Sequence, residues 1–147
     1  MSIAVHPSGN FAYVVNFGSD NVSAYVINAG GALTSIGAPV VTGSAPLSIG
    51  ISASGRFAYV TNLNSNSISG YTIEASTGAL SSIGAIGAGG ANPVSVTVDR
   101  SDKFVYVANS ASNDVSAYAI DGTSGILTSI GTSVAAGTGP ASIITTR

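Results

Sequence analysis

Residues 11–16 read FAYVVN, and nearly the same hexapeptide returns as FAYVTN at residues 57–62 and as FVYVAN at residues 104–109. The copies are 46 and then 47 residues apart. A further tyrosine follows each copy at a constant distance, so all six tyrosines of the chain occupy only two repeat positions. Self-similarity at a fixed period of this length indicates an array of equivalent structural units.

The repeat divides the chain, after Met1, into unit 1 (2–47), unit 2 (48–94) and unit 3 (95–141), followed by a partial fourth copy at 142–147. Each unit is predicted to contain four short strands, A to D in chain order, separated by turns rich in Gly, Ser and Asn. Four strands in about 40–50 residues are typical of a β-propeller blade. The partial copy matches strand A alone. We therefore predict an all-β fold of three four-stranded antiparallel blades with one extra C-terminal innermost strand.

Strand B of unit 1 explains why such blades would pack together. Phe11, Tyr13 and Val15 alternate with Ala12 and Val14, so neither face of the strand is polar and both faces should be buried. Large side chains on one face and small ones on the other would let successive blades nest. The repeated aromatic and asparagine positions of strand B are the structural repeat residues, namely Phe11, Tyr13, Asn16, Phe57, Tyr59, Asn62, Phe104, Tyr106 and Asn109.

The composition excludes several classes of function. The 147 residues include no cysteine, which rules out a disulfide framework, a cysteine zinc site and a thiol nucleophile. Four Lys and Arg against six Asp and Glu leave no basic stripe for nucleic acid. Apolar residues occur in short runs, so we expect no membrane-spanning helix. The first residues do not resemble a signal peptide. Low charge is compatible with a bacterial surface or periplasmic location, and the localisation is otherwise open.

The repeated residues also resemble a known family. Residues 59–62 are the tetrapeptide YVTN of the YVTN-repeat β-propellers, preceded by a Pro-x-Ser-Ile strand and a Ser-Gly turn. The chain is similar in the same way to lactonases of the 6-phosphogluconolactonase type, which share that seven-bladed fold. The resemblance implies blade architecture over almost the whole chain and, more distantly, sugar-lactone hydrolysis. It implies no catalytic residue, because no catalytic motif of the family is matched here.

Four side chains are candidates for chemistry if the chain is a lactonase: His6, Arg56, Asp99 and Arg100. His6 ends strand A and could act as a general base, or could be a solvated histidine at the rim of the channel. Asp99 and Arg100 occupy the same rim in unit 3, and Arg56 lies in the equivalent turn of unit 2. They could bind an anionic sugar, or be ordinary turn residues. No orienting partner repeats beside these groups, so the structural interpretation is favoured, and no cofactor is predicted.

Three loops rich in Asn, Asp and Ser follow strand B at residues 16–21, 62–67 and 109–114. Their oxygens would suit Ca²⁺, but no loop carries the D-x-[DN]-x-[DN]-G pattern, and these residues are ordinary turn formers. We therefore expect no metal site, and we expect the asparagines that end strand B to bond backbone groups. Residues 87–90 (GAGG) lack the G-x-G-x-x-G spacing and precede no helix, so we interpret them as a flexible connection.

Three blades would form an arc with two bare faces, whereas propellers close with about 4–8 blades. Large apolar faces need cover, so we expect a homodimer through the blade faces, with six blades in a two-fold ring. The favoured function is a non-catalytic propeller module that serves as a structural or interaction scaffold. The alternatives are a fragment of a lactonase that opens a sugar lactone such as 6-phosphogluconolactone, and an engineered or evolutionary intermediate. In a simple dimer the strand at 142–147 duplicates residues 2–6, so it could displace its counterpart or begin a longer propeller.

Overall fold

The structure is a computed structural model that describes residues 2–146, and these form three antiparallel sheets. Blade 1 contains β1 (Ile3–Val5), β2 (Phe11–Asn16), β3 (Asn21–Ile27), β4 (Leu33–Ser35) and β5 (Val40–Val41). Blade 2 contains β6 (Pro46–Ile51), β7 (Phe57–Asn62), β8 (Ser67–Ile73) and β9 (Leu80–Gly87). Blade 3 contains β10 (Pro93–Val98), β11 (Phe104–Asn109), β12 (Asp114–Ile120), β13 (Leu127–Ser129) and β14 (Val134–Ala135). The predicted all-β fold of three blades is confirmed. No helix that could cross a membrane is found within residues 2–146.

The outermost strand is continuous only in the middle blade. In blade 1 both β4 and β5 pair with β3, and in blade 3 both β13 and β14 pair with β12. In blade 2 the single strand β9 pairs along β8 with a register shift. One repeat position, occupied by Gly37, Gly84 and Gly131, has a positive φ in all three blades. This conformation, which glycine adopts without steric cost, kinks the strand at the break in blades 1 and 3 and at the bulge in blade 2.

The innermost strands of blades 2 and 3 begin at Pro46 and Pro93, two residues before the boundaries suggested by the repeat. Residues 142–146 do not form the predicted extra strand, because no second strand pairs with them; Arg147 lies outside the described residues. The segment nevertheless lies beside β10. The Ile143 N–H donates to Ser95 Oγ at 3.2 Å, as the Val96 N–H donates to Ser48 Oγ at 3.3 Å one blade earlier. It therefore has the place of the innermost strand of a following blade.

The hydrophobic core lies between blades. The face of β2 that carries Phe11, Tyr13 and Val15 packs on the face of blade 2 that carries Ala58 and Val60. The same packing joins blade 2 to blade 3, through Phe57 and Tyr59 of blade 2 and Val105 and Val107 of blade 3. The prediction that large side chains nest on the small side chains of the next blade is confirmed. Each blade thus buries its two faces only between neighbours.

Four tyrosine hydroxyls join the blades to one another. On the inner side, Tyr13 donates to the Gly78 carbonyl at 2.9 Å, and Tyr59 donates to the Gly125 carbonyl at 2.7 Å. On the outer side, Tyr71 donates to Val41 O at 2.7 Å, and Tyr118 donates to Gly87 O at 2.8 Å. All four side chains are buried. Burial raises the pKa of each, and it raises that of Tyr13 to about 12.

The raised pKa values of these buried tyrosines predict that the protein loses stability at alkaline pH. An unfolded tyrosine ionises near pH 10, whereas the folded Tyr13 stays neutral to about pH 12. The free energy of unfolding should therefore hold up to about pH 10 and fall between about pH 10 and 12, because only the unfolded state releases the proton there. Urea unfolding followed at increasing pH, together with tyrosinate absorbance, measures this loss. The variant Tyr13→Phe should lose less stability over this range; an unchanged alkaline slope would contradict the assignment.

Candidate functional site at the ends of the channel

The antiparallel order of each blade sorts its loops to two ends of the central channel. The innermost strands β1, β6 and β10 lie next to one another and line the channel. The hairpins β1–β2, β6–β7 and β10–β11 lie at one end, which we call the turn end. The loops after β2, β7 and β11 lie at the opposite end with the connections from one blade to the next, and we call this the linker end.

His6 lies at the turn end and joins blade 1 to blade 2. Its Nδ1 accepts the Ser8 N–H at 3.1 Å and lies 2.8 Å from Ser8 Oγ, while Nε2 lies 3.0 Å from the Gly55 carbonyl oxygen. A carbonyl only accepts, so Nε2 carries the proton and Nδ1 is the acceptor. The ring also packs edge-on against Phe11 at 5.6 Å. Both ring nitrogens form hydrogen bonds, and His6 thereby connects the β1–β2 turn to the β6–β7 turn.

Asp99 closes its own turn at the equivalent position of blade 3. Its carboxylate accepts the Phe104 N–H at 2.8 Å, the Lys103 N–H at 3.0 Å, and the Ser101 N–H and hydroxyl. Partial burial raises the pKa of Asp99, but these four hydrogen bonds together hold it below its ordinary value. Ser52 makes the same turn closure in blade 2, where its hydroxyl accepts the Phe57 N–H at 3.0 Å. The side chain at this repeat position therefore closes the turn in both blades.

Neither arginine is among the hydrogen-bond partners of His6 or Asp99 in the described residues. Arg56 donates to the carbonyl oxygens of Gly122 at 3.0 Å and Thr123 at 3.4 Å, which lie in the outer turn of blade 3. Its guanidinium also lies 5.0 Å from the centre of the Phe57 ring. Arg100 is exposed. The four candidates predicted from the sequence thus lie in the turns at one end of the propeller, and the side chains of His6, Asp99 and Arg56 each bond backbone groups of a different turn.

At the linker end, the asparagine that ends each repeated hexapeptide clamps the following loop. Asn16 Nδ2 donates to Asn21 Oδ1 and to Ser23 Oγ, both at 2.8 Å. Asn62 and Asn109 repeat the arrangement with the side chains five and seven residues later. The prediction that these asparagines bond backbone groups is wrong. Their partners are side chains, because the amide points across the hairpin to the facing strand and not along its own strand.

The polar loop residues proposed as possible calcium ligands have other partners. Asp20, Asn66 and Asn113 each adopt a positive φ, and each side chain accepts an N–H from the connection to the next blade. Asp and Asn tolerate this backbone conformation better than other residues with a side chain. Within residues 2–146, no three His, Cys, Asp or Glu side chains are grouped as metal ligands would be. These loops tie successive blades together.

A cleft of about 530 Å³ opens at the linker end, on the inner side of the arc. Serines at one repeat position, the first of each predicted strand A, line it: Ser2, Ser48, Ser95 and Ser142. Ser110 joins them, and the rest of the lining is apolar or glycine. Ser48 and Ser95 use an oxygen lone pair to accept a backbone N–H, so their O–H groups are left to donate. Such a neutral wall of hydroxyls suits a polyhydroxylated ligand.

Sequence reasoning recognised the recurring serine only as a marker of the repeat. Its place in the cleft depends on which end of the channel strand A starts from. The residues that the sequence suggested for chemistry lie at the opposite, turn end, where strand A finishes. The signal available in the sequence was a serine that recurs at one repeat position, at or near the start of each innermost strand.

Comparison with known proteins agrees with the arrangement of the chain in propeller blades. The family model for lactonases with a seven-bladed β-propeller matches residues 2–143. A candidate 6-phosphogluconolactonase from Bacteroides fragilis superposes with a TM-score of 0.88 at 23% identity, over 96% of this chain and 40% of that one. The periplasmic gluconolactonase of Pseudomonas aeruginosa superposes with a TM-score of 0.85 at 23% identity, over 94% and 40%. A Lactobacillus plantarum protein gives 0.86 at 25% identity, over 96% and 43%.

No curated protein matches the chain in sequence. The chain spans about two fifths of the length of the solved structures it matches, close to three blades of seven. The family match extends from the first strand to the segment beside β10, and the same blade packing recurs between all three sheets. The chain therefore belongs to the lactonase family of seven-bladed β-propellers, and its described residues form three consecutive blades.

Proposed function

We propose that the chain supplies three blades of a lactonase-type propeller which, once its ring is complete, binds and hydrolyses a sugar lactone. The family match over residues 2–143 carries this proposal. The names of two structural relatives, a candidate 6-phosphogluconolactonase and a gluconolactonase, support the substrate class. The serine-lined cleft at the linker end is the binding surface that these blades contribute.

Lactone hydrolysis adds water across one ester bond. The water oxygen bonds to the carbonyl carbon, the ring C–O bond breaks, and the released oxygen takes a proton to give a hydroxy acid. The part these three blades play is binding and orientation, in which serine hydroxyls hold the hydroxyls of the sugar against the channel wall. Among residues 2–146, the cleft lining contains no charged side chain, so a neutral sugar lactone fits it better than a phosphorylated one.

Acid release from glucono-δ-lactone and from its 6-phosphate, above the rate in buffer, tests the proposal. We expect hydrolysis of the neutral lactone to exceed that of the phosphate ester. Ser142→Phe should reduce the rate at least about tenfold, because the ring would project into the cleft and displace the sugar from its binding position. Ser81→Phe, on the exposed outer strand β9, is the matched control and should leave the rate unchanged. No rate above buffer from assembled, folded protein would contradict the proposal.

A second candidate is a non-catalytic scaffold. It is favoured by the engagement of His6, Arg56 and Asp99 in turn contacts, which leaves no acid and base pair among these side chains. The lactone assay separates the two functions. Hydrolysis that Ser142→Phe abolishes supports the enzyme, whereas assembled rings without hydrolysis support the scaffold.

A further inference from the structure

The two internal blade interfaces repeat one set of contacts. The ring of Phe11 lies over Gly78, where an added Cβ would come within 2.4 Å of it, and it shares a core cluster with Leu80. One blade later, Phe57 lies over Gly125 and clusters with Leu127 in the same way. The neighbouring Tyr13 and Tyr59 donate to the carbonyls of these same two glycines. The following blade thus offers a glycine and a leucine, and the preceding blade a phenylalanine and a tyrosine.

The two terminal faces of the arc, the outward faces of blade 1 and blade 3, each carry one half of this set of contact residues. The outward face of blade 3 carries Phe104, which is 36% exposed where Phe57 is 3% exposed, and the half-buried Tyr106. The outward face of blade 1 carries Leu33, which is 50% exposed where its equivalents are 9% exposed. It also carries Gly31, at which an added Cβ would meet nothing within 4 Å.

Contacts in the outer part of the blades and at the linker end show the same difference: they are formed at the internal interfaces and are missing on the terminal faces of the described arc. Tyr25 is half-buried, while its equivalents Tyr71 and Tyr118 are buried and donate to a carbonyl of the preceding blade. The glycine of each connection that packs on the asparagine of the next blade also recurs. An added Cβ at Gly43 or Gly90 would meet such an asparagine within 3 Å, whereas Gly137 of the last connection meets nothing within 4 Å.

We propose that the blade 3 face docks on the blade 1 face of a second copy of this chain, with Phe104 over Gly31 and Leu33 and with the Tyr106 hydroxyl on the Gly31 carbonyl. A second copy is the chosen occupant because one chain carries both halves of every repeated contact. Residues 142–146 hold the place beside β10 that the partner's β1 would take, so docking requires one of these two segments to leave it. Two such head-to-tail interfaces then close a ring of six blades around a two-fold axis. Propellers of about four to eight blades use the same sheet, so the angle between blades can adjust. This inference shares one premise with the proposed function, namely that the three blades become part of a closed ring.

Two single variants and their mixture test the docking. Leu33→Asp blocks the blade 1 face and Phe104→Asp blocks the blade 3 face, and each residue is exposed in a single chain, so folding is retained. The wild-type protein should have about twice the chain mass of 14.3 kDa by sedimentation equilibrium. Each variant alone should have the mass of one chain. An equimolar mixture should recover about two chain masses, because one interface between unlike copies remains intact.

Ile126→Asp is the matched control, since Ile126 is equally exposed but lies beside the internal interface of blades 2 and 3. This variant should keep the wild-type mass. A monomeric wild-type protein, single variants that still dimerise, or a mixture that stays monomeric would each overturn the docking. The readout is mass, so a dimer without lactone hydrolysis contradicts the proposed function alone. A monomer that hydrolyses the lactone contradicts the docking alone.

Discussion

Replacing Asn109 by aspartate should lower the free energy of unfolding by about 3–5 kcal/mol at neutral pH. Asn109 is fully buried, and its Nδ2 donates to Asp114 Oδ1 at 2.7 Å and to Ser116 Oγ at 2.9 Å. The carboxylate of Asn109→Asp has no donor for Asp114 and would face a second negative charge away from water. Burial and the like charge both favour protonation of the new carboxyl. The loss should therefore shrink as the pH falls, and urea unfolding at several pH values measures it.

Asn16→Asp is the matched control for this prediction. Asn16 has the same place in blade 1 but is only partly buried, and its partners are Asn21 and Ser23, both neutral. The amide of Asn21 can turn its nitrogen toward the new carboxylate, and the Ser23 hydroxyl can donate to it. The expected loss is below about 1 kcal/mol. Equal losses for the two variants, or a loss at Asn109 that does not depend on pH, would contradict the proposed charge repulsion.

The second large effect is expected at Gly125. Its φ is +76°, and an added Cβ would come within 2.4 Å of the Phe57 ring. Gly125→Ala should cost about 1–2 kcal/mol for the left-handed backbone and a further 1–3 kcal/mol for the displaced ring. The midpoint of urea unfolding should fall accordingly. The displaced ring would also loosen the junction of blades 2 and 3, because the Tyr59 hydroxyl bonds the carbonyl of this same glycine.

Gly131→Ala separates the two contributions. Gly131 lies in the same blade with a φ of +63°, and an added Cβ there would meet nothing within 4 Å. It should therefore cost only the backbone strain of about 1–2 kcal/mol. If both glycine variants lose the same stability, the contact between Phe57 and Gly125 does not contribute to blade docking.

The sequence alone predicted the parts of the fold that depend on local pattern. The recurrence of the Phe-x-Tyr hexapeptide gave the number of blades, and the alternation of Phe11, Tyr13 and Val15 with smaller residues gave the two packing faces. These predictions succeeded because side chains alternate across a strand whatever lies next to it. The inward aromatic residues then need a neighbouring sheet to be buried.

Local pattern could not predict the partners of the polar groups. His6 has the residue type of a general base, yet its function in the fold is decided by Gly55, 49 residues away. The asparagine clamp and the serine cleft depend on which side chains the hairpins and innermost strands bring together. Residues 142–146 carry the pattern of strand A but form no strand, because pairing requires a second strand that is not among the described residues.

Sequence by itself therefore determined the period, the approximate positions of the strands within each blade and which strand B side chains face a neighbouring blade. These properties follow from the spacing of apolar residues along a pleated strand. Only the tertiary structure decided that four of the six tyrosine hydroxyls bond a carbonyl of an adjacent blade, and that the recurring serines share one end of the channel. Contacts between residues of neighbouring blades depend on how the sheets rotate around a common axis, and that rotation is set by packing across the blade faces.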